Sequence, residues 1–193
     1  QCTGQRVRSD EEALPFREQS LDLVVSGLSL QLVNDLPGTL VQVRRALKPD
    51  GLLLAAMLGG SSLTELRTVL LAAEEVLEGG ASPRVASFAD VRDLGALLQR
   101  AQFALPVVDS ETLVATYASP LALMHEVRAM GGGNVLRTRR RTPLRRQTLL
   151  HALELYVQRF GLPGGRIPAT FEILTLTGWA PHESQQKPLQ PGS

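Results

Sequence analysis

Cysteine is nearly missing from this chain of 193 residues, in which Cys2 stands alone. That excludes an internal disulfide and any cysteine-built zinc site, and it fits a reducing compartment such as a bacterial cytoplasm or a mitochondrial matrix. Long apolar runs are missing as well. Charges, glycines or prolines interrupt each one before the roughly 18 to 20 residues that a membrane span requires. The opening, QCTGQRVRSDEE, shows neither a signal-peptide pattern nor an initiator methionine, so a fragment of a longer polypeptide is expected. Lysine is confined to Lys48 and Lys187, and the formal net charge is only +1. Whole-molecule attraction to nucleic acid is thereby excluded, and any polyanion would need a local patch. His125, His151 and His182 lie in separate segments with neither H-x-x-x-H nor H-E-x-x-H spacing, so no metal site is expected. Tyr117, Tyr156, Phe171 and Trp179 are too dispersed for a stacking platform and read as core residues.

What is present is enough for a folded core. Hydrophobic residues make up 44% of the chain, and one domain is the prior at this length. Leu21–Ser26 (LDLVVS) has the composition of a strand buried on both faces. Leu36, Leu40, Val43 and Leu47 then form one helical stripe, with Arg44, Arg45 and Lys48 in the final turn where cations suit the helix dipole. Pro49-Asp50-Gly51 predicts a tight turn with Gly51 at positive φ, ahead of a central strand over Leu52–Leu58. Strand, helix, turn and strand make a βαβ unit and imply a parallel sheet covered by helices.

Further along, Ser62 and Glu65 have capping-box spacing for a helix ending at Gly79-Gly80. A helix is expected over Phe88–Ala101, and extended segments near Leu105–Val108 and Thr112–Tyr117. Helical sequence follows from Pro120 to Phe160, broken near Gly131–Asn134 and Pro143, then a last strand over Ile167–Trp179. The predicted organisation is a domain over 1–180 with a helical insertion at about 119–160, and a polar tail over 181–193.

An acidic turn before Leu14-Pro15-Phe16, then LDLVVS, LSLQLVNDL, LKPDG and an apolar strand, occur in that order. This series resembles the second half of a class I S-adenosylmethionine-dependent methyltransferase. Within that superfamily the chain is similar to the group of malonyl-acyl-carrier-protein O-methyltransferases and of the methyltransferase-like respiratory complex I assembly factors known as arginine hydroxylases. GGSSLTELR, EGGASPR, RAMGGGNVL and GWAPHESQ lean towards the assembly-factor branch. The resemblance implies an α/β fold, the C-terminal part of a Rossmann-like sheet with helices on both faces. It also implies S-adenosylmethionine as cofactor. The Gly-rich loop that would hold the cofactor's methionine end is absent, because Gly131–Gly133 falls late and between helices, where it reads as a helix stop. The fragment by itself is therefore expected to be inactive, with methyl transfer to a carrier-bound carboxylate or a protein side chain belonging to the parent. The alternatives are arginine hydroxylation and a non-catalytic assembly role in respiratory complex I.

Carried onto this sequence, the resemblance gives Asp10 and Glu11 to the adenine and the end of the fourth family strand, Ser26 to Leu28, to the sulfonium. An ordinary acidic turn and plain strand-end packing are the rival readings. Gln31 is a weak catalytic candidate facing the cleft, with an exposed helix residue as its rival reading. In-line methyl transfer mainly needs alignment rather than a strong base. The densest charge feature comprises Arg137, Arg139, Arg140, Arg141, Arg145 and Arg146. It suits an acidic protein partner, such as an acyl carrier protein or a complex I subunit, or a phosphate group, with a solvated loop as the rival reading. No aromatic residue is interleaved, which argues against single-stranded nucleic acid.

Overall fold

A computed structural model describes residues 4, 6–85, 90–132 and 142–186. The first element is strand β1 (Leu21–Gly27), followed by a single 3-10 turn at Leu30–Leu32. Helix α1 (Leu36–Ala46) starts where Asp35 accepts a bond from the Gly38 amide at 2.9 Å, with Pro37 in the first turn. Its expected stripe is buried at Leu40 and Val43.

The junction after α1 differs from the sequence-based expectation. Leu47 opens strand β2 (Leu47–Leu58) directly, and Pro49-Asp50-Gly51 is an irregularity inside that strand rather than a turn before it. In the parallel pairing of β1 with β2, the register passes from Leu21↔Leu47 to Leu23↔Leu52, so a step of two in β1 meets a step of five in β2. Asp50, not Gly51, takes the left-handed φ of +65°, a conformation that aspartate tolerates better than most residues. Gly51 is needed for a different reason. A Cβ there would lie 2.9 Å from the Lys48 carbonyl oxygen. The bulged segment is tied down where the Asp50 amide donates to Ala180 O (3.2 Å) and the Ala180 amide donates to Gly51 O (2.8 Å).

The four-stranded sheet has the order β1-β2-β4-β3, with β3 at Ala104–Tyr117 and β4 at Ile167–Trp179. Backbone bonds join Asp50 to Ala180 at one end of β2 and Gly59 to Glu172 at the other, so β4 runs antiparallel to β2. The sheet is thus mixed. β3 is continuous across Asp109–Glu111, where a break was expected, because those polar residues sit exposed on an edge strand. β1 is the opposite edge, and it is not buried on both faces as its composition suggested. Leu23 is 51% and Val25 68% exposed, because an edge strand lacks a neighbour on one side among the described residues.

Tertiary contacts divide the chain into two compact units. The first holds Gln1–Met57, Ala89–Ser110 and Leu174–Ser193. Its core packs Leu40, Leu53, Leu94, Leu98, Leu174 and Leu176. Helix α3 (Val91–Arg100) belongs here and starts later than expected, because Asp90 caps it by accepting from the Arg92 amide at 2.8 Å.

The second unit holds Leu58–Phe88 and Glu111–Ile173. It contains helices α2 (Thr64–Glu78), α4 (Pro120–Ala129) and α5 (Arg146–Phe160). Gly79 ends α2 at φ +68°, the left-handed position that favours glycine. The expected capping box does not form. Leu63 is the N-cap with no side-chain bond. Ser62 Oγ instead donates to Glu172 O (3.1 Å) and accepts from the Glu172 amide (3.0 Å), while Glu65 accepts from the Thr170 amide (3.1 Å) and hydroxyl. Burial at Ser62 and Glu65 makes partners on β4 more valuable than a local cap.

Candidate functional site

The acidic residues at 10–12 build a small turn in the first unit. The Glu12 amide donates to Asp10 Oδ1 at 3.0 Å and the Ala13 amide to Asp10 O at 3.1 Å, an aspartate-anchored turn. Asp10 Oδ2 accepts no bond among the described residues and the side chain is exposed. Glu11, beside it, lines a cavity of about 250 Å³ together with Leu14, Phe16, Val24, Ser26 and Leu30. The structure therefore brings Glu11 and Ser26 to one concave surface, next to the Asp10 turn. Its walls are mostly apolar with few polar groups, the usual make-up of a small-molecule site.

That cavity lies by the carboxyl end of β1, the edge at which doubly wound sheets hold ligands. Ser26 Oγ is 3.0 Å from Ser29 Oγ, so the two hydroxyls share a proton donor. Leu28 has a φ of +55°, costly for a side chain with a Cβ and held by its amide donating to Ala56 O at 2.9 Å. Gln31 Nε2 donates to the Leu28 carbonyl. That bond fixes the amide, since a flipped Gln31 would set two acceptors against each other. Gln31 Oε1 is consequently turned away, buried and without a hydrogen-bond partner among the described residues. Leu28 is itself 47% exposed and does not line the cavity.

Three residues not singled out from the sequence hold this region. Gln42, on α1, donates through Nε2 to Glu12 O (2.8 Å) and accepts through Oε1 from the Leu14 amide (3.0 Å). Glu12 Oε1 accepts from the Asn34 amide (2.6 Å) and from Asn34 Nδ2 (2.9 Å). Their partners lie 22 to 30 positions away, and no local spacing rule reaches that far.

Of the arginine cluster, Arg137, Arg139, Arg140 and Arg141 lie outside the described residues. Arg145 is the N-cap of α5 and Arg146 its first residue, both in the second unit. The perturbed titrating groups are also in that unit. Burial raises Tyr117 above the usual tyrosine range, helped by the Glu126 carboxylate. Burial raises Tyr156 further, assisted by Glu65 and Tyr117. The Tyr156 hydroxyl donates to Pro168 O at 2.8 Å. Among the described residues no cluster of three or more His, Cys, Asp or Glu could hold a metal ion, and no helix is long and apolar enough to cross a membrane.

Residues 2–55, which include the acid turn, β1, α1 and the bulged start of β2, match the family described as a methyltransferase domain. Arginine-hydroxylase NDUFAF5, mitochondrial, from Danio rerio is 44% identical over 98% of this chain and 59% of its own length. The chain is thus similar over nearly its whole length to an arginine hydroxylase, and its residues 2–55 match a methyltransferase-domain family. The Homo sapiens protein of the same name is also 44% identical, over 97% of this chain and 54% of its own. The malonyl-[acyl-carrier protein] O-methyltransferase of Gallionella capsiferriformans is 35% identical, over 93% of this chain and 59% of its own. The chain thus spans little more than half the length of these relatives. The YcgJ protein of Bacillus subtilis shares the fold at a TM-score of 0.54 and 15% identity, covering 90% of this chain and 70% of its own. BH2331 of Bacillus halodurans does so at 0.53 and 15%, covering 92% and 78%.

Proposed function

We propose that the complete polypeptide binds S-adenosylmethionine and modifies an arginine side chain on a partner protein. The observation that carries this reading is the 44% identity, over nearly the whole chain, to relatives named arginine hydroxylases. The residues present fit the cofactor. Asp10 Oδ2 is an exposed acceptor for the adenine amino group, and Glu11 and Ser26 share an apolar cavity of about 250 Å³ beside it. When bound, the cofactor would supply an electrophilic sulfonium methyl, the chemistry of the second reading below, whereas oxygen transfer to arginine would draw on dioxygen and a two-electron reductant. The protein's own part is to align and dehydrate, with Ser26 and the Ser29 hydroxyl forming the wall at the strand end.

Gln31 Oε1 is buried and held in place by the bond that Nε2 makes to the Leu28 carbonyl, so Gln31 would shape the turn after β1 rather than touch the acceptor directly. The arginines Arg145 and Arg146, with Arg137 and Arg139–Arg141 of the same run, would grip an acidic surface of that partner.

Methyl transfer to a carrier-bound carboxylate is the second reading, favoured by the 35% identity to malonyl-[acyl-carrier protein] O-methyltransferase. Mass spectrometry of an arginine-bearing partner protein and of a malonylated carrier, each incubated with the complete polypeptide and cofactor, separates the two. A gain of one oxygen on arginine, with dioxygen and a two-electron reductant supplied, supports the first. A gain of one methyl on the carrier supports the second. Calorimetry with millimolar S-adenosylmethionine that shows no heat would reject both, leaving a non-catalytic assembly role. The 193-residue chain by itself is expected to show no transferase activity.

A further inference from the structure

We infer that Gln42, with Glu12 and Asn34, is the device that lets this protein recognise the adenine amino group, acting on Asp10 through the acid turn. This rests on the cofactor reading above and adds positioning residues to it. The turn needs such a device. Asp10, Glu11 and Ala13 are exposed, and little apolar contact holds them in place. A short exposed turn of this kind would sample many arrangements, and an aspartate on it would discriminate poorly.

The clasp works from two sides. A single amide, that of Gln42, captures two backbone groups of opposite character: Nε2 donates to Glu12 O and Oε1 accepts from the Leu14 amide, at 2.8 and 3.0 Å. Because one neighbour is an acceptor and the other a donor, only one orientation of the amide satisfies both. Gln42 stands on α1 between Val41 and Val43, and Val43 is buried, so the amide has a rigid base. From the other side Glu12 Oε1 receives both the backbone amide and Nδ2 of Asn34. The Glu12 amide, fixed by these contacts, donates to Asp10 Oδ1 and leaves Oδ2 as the outward acceptor. Residues at 34 and 42 thereby set the direction in which the carboxylate at 10 points.

The test uses the complete polypeptide and calorimetric titration with two ligands, S-adenosylhomocysteine and its N6,N6-dimethyl analogue, which lacks the amino protons. The wild type should prefer the first. Gln42→Ala should weaken S-adenosylhomocysteine by roughly fivefold, the scale of one net hydrogen bond, and weaken the dimethyl analogue less, so that the preference collapses towards one. Gln42→Glu keeps the acceptor for the Leu14 amide but not the donor, and should fall between. A loss that is equal for both ligands would mean a merely structural role and would overturn the inference, as would an unchanged preference in both variants. Should Gln42→Ala fail to fold, Asn34→Ala decides by the same ratio. A wild type that binds neither ligand removes the cofactor reading itself and this inference with it. A wild type that binds both equally removes only the Asp10 contact and its clasp.

Discussion

The two compact units bury different chemistry. In the first, the buried positions among the described residues are apolar apart from Thr39, and Leu40, Leu94, Leu98, Leu174 and Leu176 form its centre. In the second, Ser62, Glu65, Glu74 and Thr148 are buried among Leu63, Val69, Leu123, Tyr156 and Ile167. Each of these polar groups has a hydrogen-bond partner outside its own helix or turn. Glu74 grips Arg84 at 2.6 Å and accepts from the Ser82 amide at 2.7 Å, and the Thr148 hydroxyl donates to Glu78 at 2.8 Å. An apolar core is insensitive to which partner fills it provided volume is kept, whereas a buried polar network is satisfied as a set or not at all. The comparison therefore predicts that conservative changes will be tolerated in the first unit and not in the second.

The hardest blow should be Glu74→Ala. It strands the Arg84 guanidinium, whose side chain is only 16% exposed, and orphans the Ser82 amide. A loss of about 3 to 5 kcal/mol is expected, read as a shift in the urea midpoint, and Glu74→Gln should recover part of it by still accepting from Ser82. In the first unit, Leu40→Ala removes a fully buried side chain and should cost about 2 to 4 kcal/mol. There the contrast sharpens: Leu40→Met should cost under about 1.5 kcal/mol. If Leu40→Met proves as damaging as Leu40→Ala, the two units do not differ in the way their buried residues indicate.

Ser62→Ala is a smaller change with a more specific reading. Were Ser62 an ordinary helix cap, its loss would free one amide of α2. Instead its hydroxyl serves both the amide and the carbonyl of Glu172, so the expected cost is about 2 kcal/mol. Amide exchange should accelerate at Glu172 and Leu63 rather than in the first turn of α2. The Leu63 amide is included because it donates to Thr170 O at 2.7 Å in the same local ladder.

The same contrast explains what could be read in advance. The stripe Leu36–Leu40–Val43–Leu47 is a short-range pattern, and it appears as a helix whose apolar side is buried, with Leu47 remaining 2% exposed after the chain has passed into β2. The last strand, Ile167–Trp179, is equally local in its signal. Ser62 and Glu65 had the spacing of a cap but found partners more than a hundred residues away, which no window could weigh. At Asp50-Gly51 the residue types pointed to a tight turn ahead of the strand, whereas the structure has an irregularity inside β2. The sequence did not reveal that the close approach of Lys48 O, rather than a positive φ, demands the glycine. In the candidate site the acid turn was visible from Asp10-Glu11-Glu12 and Leu14-Pro15-Phe16, whereas the Gln42 and Asn34 clasp depends on how α1 lies against that turn.

The gentlest probe of the polar unit is alkaline titration, since both tyrosines of the chain, Tyr117 and Tyr156, belong to it. Burial raises both above the usual tyrosine value of 10.0, Tyr156 the more strongly. Because the folded protein holds these protons after the unfolded chain has begun to release them, the folded state binds more protons above about pH 10, and stability must fall as pH rises through that range. Below it the two states are equally protonated at these positions and the tyrosines leave stability independent of pH. Absorbance of phenolate should therefore appear late, in two steps, with Tyr117 ionising before Tyr156, and Tyr117→Phe should delete the earlier step. Glu65→Gln should move the later step down, because the carboxylate is a charge that opposes ionisation of Tyr156. A single step near pH 10 in the folded chain would mean that the second unit is not closed around its polar groups, and the distinction between the two units would go with it.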